Sequence, residues 1–305
     1  MDVRRKRNVP ELMRRYVLLL ALFLTHAIAA AERPPVSEYE RFLLPVYGTF
    51  NGANGARWTT SLWLRNEGDA PVDAFPLSPT CVSSFLCFAM MRPYPAFEPR
   101  MTGYHGLPFI GPFRAGTPSA TGQFLYVERA RAHQLSVQLH IRDASRSRSL
   151  STRLPVVRES EFLTGTQNIL GVPVSILSRI SLRIYELDSR PSSEFLVRFW
   201  DVLPVETHGP VIWSEIRFFG EVRMKTSYEG GEQCGFLYGC PAVPYRPGFG
   251  EIPSLLGAVP SLYDAAARPD GVRIEIVPLT EGVRYWPLVS STDDETNFVT
   301  IFTAR

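Results

Sequence analysis

Apolar side chains recur at every second position through most of this chain, and that period constrains its fold more than any other feature. Trp58, Leu62 and Leu64 alternate with Thr59, Ser61 and Arg65, and Leu135, Val137, Leu139 and Ile141 alternate with Gln134, Ser136, Gln138 and His140. The pattern returns at Ile180, Leu182 and Ile184, and again at Val272, Ile274 and Ile276. A two-residue period puts apolar groups on one face of a strand and polar groups on the other, as in antiparallel sheets with one buried face. Residues 124–127, 195–200 and 298–302 add strands rich in aromatic and β-branched side chains. Helical periodicity is scarce, with a turn or two expected at 159–163 and 261–267. The 26 prolines and 22 glycines suit a loop-rich β protein. With 45% apolar and 20% charged residues, the composition is globular and excludes collagen-like, coiled-coil, disordered and multispanning membrane chains.

The expected architecture is all-β: two tandem antiparallel β-sandwiches at 38–160 and 165–305, following a leader at 1–29. Two internal spacings suggest a duplicated module. The cysteine pairs are offset by 153 residues (Cys81 to Cys234), and the hairpin turns near Asp143 and Ser291 are offset by 148. The boundary would fall near 158–170.

The leader has three parts. Arg4, Arg5, Lys6, Arg7, Arg14 and Arg15 form a basic region, residues 16–24 are wholly apolar, and Ala27-Ile28-Ala29 offers a small-residue cleavage site. These are the parts of a secretory signal peptide. Cleavage after Ala29 fits best, and cleavage after Ala31 is close behind. The 16–30 stretch, interrupted by His26, is short for a membrane-spanning helix, so an uncleaved anchor is the lesser reading. Arg14-Arg15 partly resembles a twin-arginine signal, but its flanks favour the general secretion route. Without residues 1–29 the chain carries 26 basic and 28 acidic side chains, a net charge of −2. A near-neutral chain has no general attraction to nucleic acid or anionic lipid, and no stable membrane insertion is expected after cleavage. The expected location is periplasmic or extracellular.

Cys81, Cys87, Cys234 and Cys240 form two pairs of equal spacing. In an oxidising compartment an even count reads as disulfides, with the local pairs Cys81–Cys87 and Cys234–Cys240 preferred among three connectivities. Each would contribute about 2 kcal/mol by closing a short loop. A four-thiolate zinc site is the sharper alternative, but its ligand pairs usually stand closer together.

Residues 62–75, Leu-Trp-Leu-Arg-Asn-Glu-Gly-Asp-Ala-Pro-Val-Asp-Ala-Phe, carry an apolar strand into an Asn-x-Gly turn and back out. This segment resembles the strand–turn–strand of bacterial secreted Ig-like β-sandwich domains, the cell-adhesion-related type. The second half departs from it, with Glu186-Leu187-Asp188-Ser189 in place of the turn. The resemblance implies a secreted sandwich with a binding or structural role and brings no catalytic residues. The whole chain is also similar to exported proteins of Gram-negative bacteria.

Candidate chemistry is sparse. The glycine-rich stretch 48–55 follows a strand, but no Lys-Ser/Thr follows it, so Asn51-Gly52 and Asn54-Gly55 read as hairpin turns and not as a phosphate cradle. His105, His133, His140 and His208 lack metal-ligand spacing; His140 falls on the polar face of its strand, and His105 and His208 read as loop residues. No Gly-x-Ser-x-Gly elbow occurs. Asp293-Asp294-Glu295 suggests a calcium loop or, more simply, a charged hairpin tip, since calcium ligands usually alternate. Arg142, Arg146, Arg148 and Arg153, interleaved with serines, form a local basic patch able to hold an anionic polysaccharide or lipid head group. The plain alternative is a solvated hairpin in a chain that has only two lysines. The stretch 85–113 is dense in aromatics and methionine and reads as a folded cap or a sticky surface.

The expected function is a non-enzymatic binding, adhesion or scaffold role in the cell envelope, with an envelope protein or glycan as partner and no cofactor or metal. A secreted hydrolase or glycan-processing enzyme with dispersed catalytic acids is the alternative. The expected contact surface is the pair of Cys-pinned loops, which carry Phe85, Leu86 and Phe88, and Phe236, Leu237 and Tyr238. Pinned loops lose little ordering entropy on binding, but the same rings would also serve as plugs for the sandwich ends.

Overall fold

A computed structural model describes residues 36–52, 55–72, 74–75, 102–105, 121–146, 150–188, 190–201, 217–228, 246–265 and 271–304. The expected signal segment, all four cysteines and the six aromatic and leucine side chains placed on their loops lie outside the described residues.

The chain is all-β, and among the described residues every strand pairing is antiparallel. In the first half β1 (Tyr39–Leu44), β4 (Ala74–Phe75), β6 (Gln123–Glu128) and β9 (Val157–Arg158) form a four-stranded sheet. β2 (Thr49–Asn51), β3 (Arg57–Asn66), β5 (Thr102–His105), β7 (Leu135–Asp143) and β8 (Thr152–Leu154) form a five-stranded sheet stacked on it. The resemblance segment does not close a hairpin. Asn66 accepts from Gly68 N (2.9 Å) and donates to Ala70 O (2.7 Å), and the chain then crosses from β3 to β4 in the other sheet.

The second half is built differently from a pair of sheets. β10 (Gln167–Val172), β11 (Ser178–Glu186), β12 (Ser192–Asp201), β13 (Phe218–Ser227), β14 (Gly248–Ile252), β15 (Val272–Pro278), β16 (Tyr285–Asp293) and β17 (Val299–Thr303) form one eight-stranded sheet. Its order is β10-β15-β12-β13-β14-β11-β16-β17, and the end strands β10 and β17 approach each other, so the sheet nearly closes. Bulges at Ile169/Val172 and Phe199/Trp200 sharpen the curvature. Gly271, at φ 70°, passes so close to β10 that a Cβ there would stand 2.5 Å from the Val172 carbonyl oxygen. Phe195, Val197, Leu182, Ile184, Ile274 and Val289 fill the interior. One end is closed by α1 (Leu255–Ala258) and a 3-10 turn (Pro260–Ala265), which bury Leu255, Leu256 and Leu262. Short helical turns do form near 159–163 and 261–267, at Glu159–Glu161 and Pro260–Ala265. Among the described residues no helix is long and apolar enough to cross a membrane.

The four-stranded sheet is buried on both faces. Phe42, Leu44, Leu125 and Val127 point into the core shared with the five-stranded sheet. Tyr39, Leu43, Phe124 and Tyr126 point the other way, against Tyr185, Trp286 and Leu288 on the outer wall of the eight-stranded sheet. Two-sided burial explains why consecutive apolar residues occur at 42–44 of β1 and 124–127 of β6, while β3 and β7 alternate. The two halves therefore share a continuous core, and β17 completes both. Val299 belongs to the first-half core, and Phe302 packs against the interior of the eight-stranded sheet.

Charged groups reinforce the junction. Glu159 accepts from Arg41 N, Nε and Nη2 at 3.3, 3.2 and 3.1 Å, and Arg41 Nη1 donates to Leu187 O at 2.8 Å. Arg129 and Arg284 approach the same carboxylate at 3.7 and 3.9 Å. Burial raises the Glu159 carboxyl, but the Arg41 hydrogen bonds and charge outweigh it and hold it below its usual range.

Candidate functional site

The outward face of the five-stranded sheet carries the most distinctive arrangement. β3 turns Trp58, Thr60, Leu62 and Leu64 inward, which leaves Arg57, Thr59, Ser61, Trp63 and Arg65 outward. Pairing with β7 sets Thr59 opposite Arg142, Ser61 opposite His140, Trp63 opposite Gln138 and Arg65 opposite Ser136. β8 adds Arg153 opposite His140, and β2 adds Thr49 opposite Thr59. Trp63 is 41% exposed, the most exposed tryptophan of the described strands.

No carboxylate faces outward from these five strands. Their only acid is Asp143, which is 1% exposed and turned into the core. Arg57, Arg65, Arg142 and Arg153 take part in no ion pair among the described residues, whereas Arg41, Arg179, Arg183, Arg198, Arg217 and Arg284 each sit on a carboxylate. Uncompensated cations on one flat face add their fields outward, and water screens them less than it would isolated charges on a convex tip. The chemistry on offer is guanidinium donors, hydroxyls, an amide, an imidazole and one indole plane. That set can hydrogen-bond an anion with hydroxyl neighbours.

The basic hairpin expected from sequence splits. Arg142 and Arg153 join this face. Arg146 instead donates to Glu295 O (2.9 Å) and lies 3.6 Å from Asp143, and Arg148 lies outside the described residues. His140 sits half-buried on the face, as its place in the alternation implied. His105 ends strand β5 and does not lie in a loop; His133 lies in a 3-10 turn, and His208 is outside the described residues. The glycine-rich stretch forms the β2–β3 hairpin, where Gly52 N donates to Ala56 O at 2.8 Å.

The acidic turn after β16 binds itself and its neighbours. Asp293 accepts from Thr296 N (2.7 Å) and Oγ1 (2.6 Å), and Asp294 accepts from Arg179 Nε (2.7 Å). Among the described residues no three His, Cys, Asp or Glu side chains gather as metal ligands. The two turns that the sequence spacing singles out as equivalent instead touch each other. Asn297 Nδ2, on a residue with φ 55°, donates to Asp143 Oδ2 at 3.0 Å. Asp143 Oδ1 accepts from Arg57 N (2.9 Å), Ser145 N (2.9 Å) and Ser145 Oγ (2.6 Å). Burial pushes the Asp143 carboxyl up, but these hydrogen bonds prevail and hold it at about 2.

A second polar group lies inside the eight-stranded sheet, at the end away from α1. Glu186, fully buried, accepts from Thr226 Oγ1 at 2.9 Å and stands 3.6 Å from Arg190 Nε. Its Oε1 and the nearby Ser193 Oγ make no hydrogen bond. Outside that end, Thr121, Ser227, Arg246, Pro247 and Phe249 line a cleft of about 30 Å³, the room of roughly one water and far below a small-molecule pocket.

No family model, curated protein or solved structure matches the chain.

Proposed function

We propose that this chain is an exported, non-enzymatic binding protein of the cell envelope, acting in capture, adhesion or scaffolding. The observation that supports it is the acid-free arginine–tryptophan face on the five-stranded sheet, carried on a stack whose middle sheet is buried on both sides. A rigid sheet presents its side chains with little ordering cost, so contacts made there convert to affinity efficiently. The likeness of residues 62–75 to adhesion-type Ig-like domains fits the same role, as do the leader and the Cys81–Cys87 and Cys234–Cys240 bridges we assign to its two loops.

The test is retention of envelope components on the immobilised mature protein. Wild type is expected to hold a component released by raised salt, and the Arg65→Glu/Arg142→Glu double variant is expected to lose it. Equal retention by both proteins, or turnover of glycosidic or ester substrates by the wild type, would overturn the reading.

A further inference from the structure

We propose that the end of the molecule carrying the β7–β8 connection docks on the surface of an anionic phospholipid bilayer, with apolar turn tips entering the headgroup layer and arginines holding the phosphates. The proposal rests on the binding reading above, since it uses the cationic face described there, and it names the partner.

The first observation is where exposed apolar side chains fall. Leu150, Ile176, Leu177 and Phe298 are 77%, 68%, 68% and 46% exposed. They stand on three turns that hydrogen bonds tie together. Asp294 N donates to Leu177 O at 3.0 Å, Arg146 Nη1 to Glu295 O at 2.9 Å and Thr152 Oγ1 to Val299 O at 3.0 Å. Side chains in a flat apolar patch shelter one another, so the first three exposures belong to tips that project separately. A protein partner would need a pocket for each tip. A fluid lipid layer closes around all of them and gains in proportion to the apolar area it covers. Three of the four are aliphatic and offer no stacking plane to a base or a sugar ring.

The second observation is the charge beside these tips. Arg57, Arg142 and Arg153 are exposed, and strand register makes Arg142 a diagonal neighbour of each of the other two, roughly 7–8 Å away. Three like charges held this close repel one another, and an anion set among them relieves the repulsion. Arg142 leads into the β7–β8 connection, and Arg153 follows Leu150 by three residues, so the cations border the tips. In the neighbouring turn Asp294 accepts from Arg179 and Asp293 from Thr296, which leaves Glu295 as its exposed acid against three arginines. A guanidinium can hold a phosphate through two parallel hydrogen bonds while its stem lies along apolar surface. Free phosphate would answer the cations alone; a phospholipid surface answers the cations and the tips together. The Asn297–Asp143 hydrogen bond of 3.0 Å joins the turn that carries Phe298 to the strand that carries Arg142, so both are presented as one surface.

The experiment is flotation of the mature full-length protein with vesicles of mixed phosphatidylglycerol and phosphatidylcholine, against vesicles of phosphatidylcholine alone. The expected result is binding to the mixed vesicles that weakens as salt rises and is not displaced by inorganic phosphate at constant ionic strength. Binding should be at least about tenfold weaker without phosphatidylglycerol. Ile176→Ser/Leu177→Ser should weaken it about tenfold or more, through loss of two apolar tips. Arg142→Glu/Arg153→Glu should weaken it by a similar factor. Leu279→Ser, at an exposed apolar site on the opposite end of the eight-stranded sheet, should leave it unchanged. Vesicles should shift the emission of the Leu177→Trp variant further to the blue than that of wild type. Unfolding midpoints of all variants serve as the check on folding. Equal binding to the two kinds of vesicle, displacement by phosphate, or an unaffected Ile176→Ser/Leu177→Ser would overturn the assignment. Salt-sensitive retention of an envelope glycan or protein, with vesicles unbound, would refute membrane docking while sparing the binding reading.

Discussion

Replacing Asp143 by asparagine should unlock the contact between the two halves and remove one source of acid sensitivity. The carboxylate collects three hydrogen bonds on Oδ1, from Arg57 N, Ser145 N and Ser145 Oγ, and one on Oδ2 from Asn297 Nδ2. Asparagine can keep the first set by placing its oxygen there, and Asn297, whose Oδ1 makes no hydrogen bond, must turn its amide to accept from the new NH2, so four charge-assisted hydrogen bonds become neutral ones. Arg146, 3.6 Å away, also loses its partner. Loss of the charge at a 1%-exposed site that these hydrogen bonds surround costs about 2–3 kcal/mol. For a cooperative unit of this size that lowers the unfolding midpoint by about 4–10 °C at neutral pH. The pH dependence supplies an independent check. The folded carboxyl is held at about 2 against an unfolded value of 3.8, so its charged form favours the fold. Its contribution is complete above the unfolded value and disappears as pH falls from about 5 toward 2. The shift corresponds to about 2 kcal/mol, trimmed to about 1–2 by water near the site. Urea unfolding followed by tryptophan fluorescence at pH 7, 4 and 3 should show wild type and Asp143→Asn converging as the pH drops. A gap below 0.5 kcal/mol at pH 7, or one that stays constant with pH, would refute the reasoning.

Other perturbations separate the remaining contacts. Arg190→Ala should cost about 3 kcal/mol by stranding the buried Glu186 carboxylate, and adding Glu186→Gln should restore much of it; chemical denaturation of the single and double variants would expose a purely additive pair. Gly271→Ala should destabilise by about 2 kcal/mol or more, since its φ of 70° and the Val172 carbonyl both oppose a Cβ, and an unchanged melting temperature would contradict that crowding. Glu159→Gln should loosen the junction held by Arg41, and because that carboxyl is depressed in the fold, the wild-type advantage should fade in acid; proteolysis between the halves at neutral pH reads the loosening.

Much of the strand content is legible in the sequence because burial on one face leaves a period of two. β3, β7, β11 and β15 show it plainly. β13 and β14 escape because Gly220, Gly248 and Gly250 interrupt the pattern and charged residues take the outward positions. The consecutive apolar residues at 42–44 and 124–127 point to burial on both faces, but no local feature names the second partner, which is the wall formed by β11 and β16. The equal spacing of the two turns suggests repetition, yet Asp143 and Asn297, 154 residues apart, bond to each other across the fold. The candidate face is half legible. Arg142 and Arg153 stand out as a basic cluster, whereas Arg57, Trp63 and Arg65 join them only through strand register. The paired loops at the cysteines lie outside the described residues and leave that surface to experiment.

The double allegiance of β17 has a consequence for the order of events during synthesis. Val299 fills the core of the first half, and Thr152 Oγ1 donates to its carbonyl at 3.0 Å. About 140 residues separate that strand from the end of β9, a delay of about 7–30 s at ordinary elongation rates. For that interval the two stacked sheets have a gap in their core and the four-stranded sheet has one face uncovered. The first half thus lacks Val299 from its core until the chain is nearly complete. A chain with this wiring can complete both cores only when its last strand arrives.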